Sequence, residues 1–194
     1  MLMSWKHRAI FLHPAKTGGS AVRRVLWEQF DFARPPGLTD WHTGFLPRGD
    51  DDTEFGYGRY GGWLAFGTVR NPYARLVSLW AHVRAEVDNP RWQFWRDYVG
   101  PFANFVEFTG KLLRDGPPPE FAPMCMMLAP CAFVLRQESL ADDFARLPFV
   151  PAPVPLPVIN RHAHPPWPDC YDQPTRELVQ RHFYQDFSCY GYSL

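Results

Sequence analysis

Residues 11–20 read FLHPAKTGGS, an apolar run that breaks into a loop carrying a lysine, two hydroxyl residues and a pair of glycines. Tandem glycines let backbone N–H groups approach a ligand closely, and a helix starting there adds the positive end of its dipole. Phosphate and sulfate are the anions that suit such a place. Upstream, AIFLH at 9–13 reads as a buried strand. Downstream, Val22, Val25, Leu26 and Phe30 recur at helical spacing with Arg23, Arg24 and Glu28 between them, the pattern of an amphipathic helix. The unit is therefore a strand, an anion-type loop and a helix. It is not a Walker A loop, which places its lysine after the second glycine, whereas Lys16 precedes Gly18 and Gly19.

A second unit of the same kind follows. WLAFGTV at 63–69 reads as another buried strand, and the helix after it opens with Asn71–Pro72, proline being suited to a first turn. Leu76, Trp80 and Val83 mark its inner face. Arg70 lies at the carboxyl end of the strand, where open α/β sheets place their ligands, and Ser78 follows two helical turns later. A third helix is expected at 102–114 and a third strand at 133–136 (FVLR). Ser139 with Asp142 predicts a capping box for a short helix through Leu147. PFVPAPVPLPV reads as an extended connector, and PTRELVQRHFYQDF as a final helix with Pro174 near its start. Residues 31–62, rich in Gly, Pro and Asp, read as an irregular excursion. Strands followed by helices predict an α/β fold, with a mainly parallel central sheet flanked by helices, in a single domain over 1–194.

Composition narrows the classes. With 194 residues, 46% hydrophobic and 16% aromatic, the chain can bury a core of its own. Twenty basic against twenty acidic side chains leave no net charge, which argues against general affinity for nucleic acid. No apolar run is long enough for a secretory signal or a membrane span, so a soluble, cytoplasmic protein is expected. Cys125, Cys131, Cys170 and Cys189 show no zinc spacing and read as free thiols.

Together, FLHPAKTGGS and TVRNPYARLVS resemble the two cofactor motifs of the PAPS-dependent sulfotransferases, specifically the carbohydrate-type group. The resemblance continues in order through FVLRQESLADDFARL, LPVIN and the YQDFSCYGYS ending. One departure sits inside the first motif, where the proline comes one position early. The resemblance implies a P-loop-like sulfotransferase fold and the donor 3′-phosphoadenosine 5′-phosphosulfate. Lys16 would sit at the bridging oxygen, and Thr17, Gly18, Gly19, Ser20 and Ala21 would hold the 5′-phosphate. Arg70 and Ser78 would clamp the 3′-phosphate, with Arg161 or His162 of NRHAH reaching it or the adenine. No metal is expected, and the HxH of 162–164 lacks the third ligand that zinc needs.

A base must take the acceptor proton. The resemblance implies a base between the two motifs, and His42, the only histidine there, would fill that role; the alternatives are a loop histidine hydrogen-bonded to backbone, or Asp40 as the base. The implied acceptor is a carbohydrate or another small hydroxyl-bearing molecule. The acidic run of Asp50, Asp51, Asp52 and Glu54 reads as a solvated loop, or, on the acceptor side, as favouring a neutral or cationic acceptor. Trp92, Phe94 and Trp95 read either as core or as a sugar-stacking surface. Two other readings stay open: a P-loop-type nucleotide kinase, and a non-catalytic nucleotide-binding domain on the same fold.

Overall fold

The computed structural model describes residues 1–35, 60–86, 90, 104–114 and 121–194. Its contacts divide the chain into two compact units, Met1–Arg70 with Met124–Ile159, and Asn71–Pro123 with Asn160–Leu194.

The first unit is α/β. Its sheet has four strands in the order β1 (Leu2–Ser4), β2 (Ala9–Leu12), β3 (Leu64–Val69) and β4 (Phe133–Arg136). Strands β2, β3 and β4 run parallel, with Ile10 opposite Ala65 and Gly67 opposite Val134. Strand β1 is antiparallel to β2, pairing Leu2 with Phe11, so the sheet is mixed. The sequence reading has no β1, because three residues are too few to show an alternation. A tight turn makes the pairing possible: Arg8 adopts φ 48° and its N–H donates to Trp5 O at 3.3 Å.

Helix α1 (Gly19–Gln29) follows β2 and buries Val22, Val25 and Leu26 in the core with Phe11, Phe66 and Leu135. Its charged face carries an Arg24–Glu28 pair at 2.9 Å. Gly67 is needed where β3 meets its neighbours, since a Cβ there would come within 2.5 Å of Leu128 and 2.8 Å of Leu12 O. In the second unit α2 (Pro72–Ala85) and α3 (Phe105–Arg114) come first in the chain. The first unit then adds a short α4 (Met124–Met127), followed by β4 and α5 (Leu140–Ala145).

The expected capping box does not form, because Ser139 makes no side-chain cap bond. Asp143 makes a different contact: its Oδ2 accepts from Arg136 N at 2.8 Å and from Ser139 Oγ at 3.0 Å. The carboxylate thereby holds the end of β4 to the start of α5. The prolines of 151–157 run without regular secondary structure, as expected. Val154 and Leu156 pack against the core of the first unit.

The second unit is helical. Helix α2 is capped by Asn71, whose Oδ1 accepts from Tyr73 N at 2.9 Å and Ala74 N at 3.4 Å, with proline in the first turn as predicted. Tyr73 is fully buried and stacks on Trp167 at 4.9 Å with the rings 7° from parallel. It also receives the Tyr171 hydroxyl on its carbonyl at 2.9 Å and the Gln180 amide on its own hydroxyl at 2.8 Å. The final helix is two helices, α6 (Gln173–His182) and α7 (Tyr184–Tyr190), broken at the buried Phe183. All four cysteines are free, and burial pushes the Cys131 thiol up to about 12, which leaves it inert.

Arg75 is the largest fully buried side chain of the chain's described residues. Burial lowers its guanidinium to about 10, while the charge of the buried Asp186 supports it, and Nη1 donates to Ala122 O at 3.1 Å. Arg75→Ala should therefore cost about 3–5 kcal/mol of stability, read from urea unfolding, because a buried, hydrogen-bonded guanidinium is lost and with it the favourable charge beside Asp186. Asp172 caps α6, and hydrogen bonds from the Thr175 hydroxyl and N–H hold its carboxyl below the ordinary range. A depressed folded pKa contributes stability that is present above the ordinary carboxylate pKa and lost as the pH falls through the folded one. Asp172→Ala should flatten that acid limb of the stability curve and leave the neutral limb parallel to wild type.

Candidate anion site

The loop after β2 is built by two left-handed residues. Lys16 has φ 66° and Gly18 φ 84°, so the chain turns twice within three residues before α1 begins at Gly19. The glycine adopts this conformation freely and the lysine does so at a cost. The N-cap residue Gly18 has no side chain with which to cap α1, and the helix's own first turn holds no acidic residue to offset its positive end.

The loop is fastened from below. Thr17 is fully buried, and its Oγ1 donates to Pro14 O at 2.7 Å and lies 2.6 Å from Thr68 Oγ1. With the Thr17 proton on Pro14 O, Thr68 donates to Thr17. The Thr17 hydroxyl is thus spent inside the loop, and this residue offers a ligand only its backbone N–H. Ala21 N–H donates to Gly18 O at 3.1 Å, closing the first turn of the helix. Gly19 must be glycine for a different reason: an added Cβ would stand 2.3 Å from the Cβ of His13, which is itself stacked on Phe11 at 5.4 Å.

Among the expected site residues, the first unit brings together Lys16, Thr17, Gly18, Gly19, Ser20, Ala21 and Arg70. Arg70 follows directly on β3, and its Nη1 donates to Lys16 O at 3.5 Å, a long contact that sets the arginine beside the loop. Ser20 opens a groove of about 450 Å³ along the outer side of α1, lined also by Arg23, Arg24, Trp27, Glu28 and Ile159. Partial burial lowers the Arg23 guanidinium. Ser78 and Arg161 belong to the second unit, the former half-buried on α2 and the latter exposed. His42 and Asp40 lie outside the described residues, as do Asp50, Asp51, Asp52, Glu54, Trp92, Phe94 and Trp95.

Sequence reading missed Thr68 and His13. Thr68 is a buried hydroxyl inside an apolar strand, and that misfit is the signal that it has a partner. His13 gives no such signal, since nothing in its spacing says that it lies over Gly19. No protein family, curated protein or solved structure matches the chain.

Thr17→Val keeps the side-chain shape but leaves Pro14 O and Thr68 Oγ1 without their partner, at a cost of about 1–3 kcal/mol. Thr17→Ser should retain most of that stability. Gly19→Ala should cost a further comparable amount, about 1–3 kcal/mol, through overpacking against His13. Chemical-denaturation midpoints of the three variants check all of this.

Proposed function

We propose that the chain is a sulfotransferase on a P-loop-like fold, moving a sulfuryl group from 3′-phosphoadenosine 5′-phosphosulfate to an acceptor hydroxyl, with a carbohydrate as the preferred acceptor. The observation that carries this reading is the uncapped start of α1, entered through left-handed Lys16 and Gly18 at the carboxyl end of a parallel strand. A helix start of that kind is suited to a phosphate-like anion. The motif order along the sequence supplies the rest.

In this reading residues 17–21 hold the 5′-phosphate, and the family resemblance assigns the 3′-phosphate to Arg70 and to Ser78. His42 takes the proton from the acceptor hydroxyl, whose oxygen attacks sulfur as the bond from sulfur to the bridging oxygen breaks. The electron pair leaves on the phosphate of the released 3′-phosphoadenosine 5′-phosphate, and Lys16 neutralises it. Sulfuryl transfer of this kind depends chiefly on alignment and charge stabilisation. The Arg70 contact with Lys16 O supports a shared task, because it sets the second anion residue beside the loop that carries the first.

Calorimetric titration tests the donor site. 3′,5′-Adenosine bisphosphate should bind, ADP should bind much more weakly, and Arg70→Ala should lose the preference. Equal affinity for the two nucleotides favours a kinase, and binding to neither sets the nucleotide reading aside. With donor binding established, His42→Ala should lower turnover on the order of 10²–10⁴-fold while leaving bisphosphate affinity unchanged. Unchanged turnover removes His42 from the role of base and moves attention to Asp40.

A further inference from the structure

Helix α2 ends in a pair of potential ligands. His82 and Glu86 stand four residues apart, on one face of the last turn, and His162 reaches them from the segment that follows the proline-rich connector. His82 Nδ1 lies 2.7 Å from His162 Nε2, and His162 Nε2 lies 3.9 Å from Glu86 Oε1. The three donor atoms all fall within 4.8 Å of one another, with His82 buried and the other two half-buried. All three belong to the second unit.

We propose that His82, Glu86 and His162 form a binding site for a zinc ion. Two imidazoles and one carboxylate are a donor set that zinc accepts, whereas magnesium and calcium prefer oxygen alone. Zinc bonds of 2.0–2.2 Å at tetrahedral angles place any two donors about 3.3 Å apart. The separations of 2.7 and 3.9 Å lie on either side of that value. The third separation, between the His82 and Glu86 donors, is at most 4.8 Å, so closing the set takes shifts of up to about 1.5 Å at two points, on the same zinc geometry. One is Glu86, the residue that caps the helix, with its side chain 38% exposed; the other is His162, in a stretch without regular secondary structure. Three protein ligands leave a fourth position for water or an anion. The site would fasten residues 160–164, Arg161 among them, to the face of α2 that also carries Ser78, one helical turn before His82.

The proposal is independent of the sulfotransferase reading, because its test uses zinc alone. Metal-stripped protein is titrated with zinc against a chromogenic chelator, beside Glu86→Gln and His162→Ala, both at half-buried positions that spare the buried His82. Wild type should take up one more zinc per chain than His162→Ala, and Glu86→Gln should bind at least about 10–100-fold more weakly than wild type. Zinc should also slow tryptic cleavage after Arg161 in wild type and not in Glu86→Gln. The four free cysteines contribute equally to all three proteins, so only the difference counts. Equal uptake by wild type and His162→Ala overturns the site and leaves His82 and His162 as a hydrogen-bonded pair.

Discussion

The Thr17 hydroxyl decides the shape of everything around the loop. Its two bonds, to Pro14 O within the turn and to Thr68 on β3, are buried, so both are made in a medium where losing either is expensive. On either side of Thr17, Lys16 and Gly18 both adopt the left-handed region, and the buried threonine bonds hold the loop in that shape. The lysine's unfavourable backbone is thus stabilised by the threonine beside it. A loop fastened by buried bonds of this kind has less ordering left to do when a ligand arrives, which is what an anion site needs if ordering is not to be charged against affinity.

How far the sequence could be read depended on the range of the interactions involved. The strands at β2, β3 and β4 and the helices α1 and α2 announce themselves through apolar spacing and through Asn71–Pro72, all of it local. Strand β1 was hidden because its evidence is its partner: Leu2–Ser4 becomes a strand only by pairing with Ala9–Leu12. The capping box failed for a related reason. Asp143, rather than Asp142, faces the end of β4, and the competition between two adjacent carboxylates is settled by a strand that comes earlier in the chain. The break at Phe183, where the backbone leaves the helical region at φ −108° and ψ 22°, is likewise something no helical propensity records.

The candidate site was legible in the same uneven way. Lysine, glycine pair and helix start were visible as a string. That the Thr17 hydroxyl is consumed internally was not, because Thr68 is 51 positions away. The zinc ligands show the same limit: His82 and Glu86 share one helix, but His162 is 80 positions from His82, and the HxH of 162–164 points sequence reading toward His164 instead. Chemistry assembled across such distances is invisible until the chain is folded.

The crowding of Gly19 against His13 has a consequence for how this loop can change over generations. The two residues compete for the volume of one side chain, since a Cβ at 19 would overlap that of residue 13. Substitution at 19 is therefore conditional on what stands at 13, and because the overlap is already with the Cβ of residue 13, only a glycine there removes it. Either order carries a cost: His13 is buried and stacked on Phe11, so emptying position 13 first gives up that packing, whereas filling 19 first forces the overlap. The entry to α1 is a place where the path of descent is constrained by a single interatomic distance.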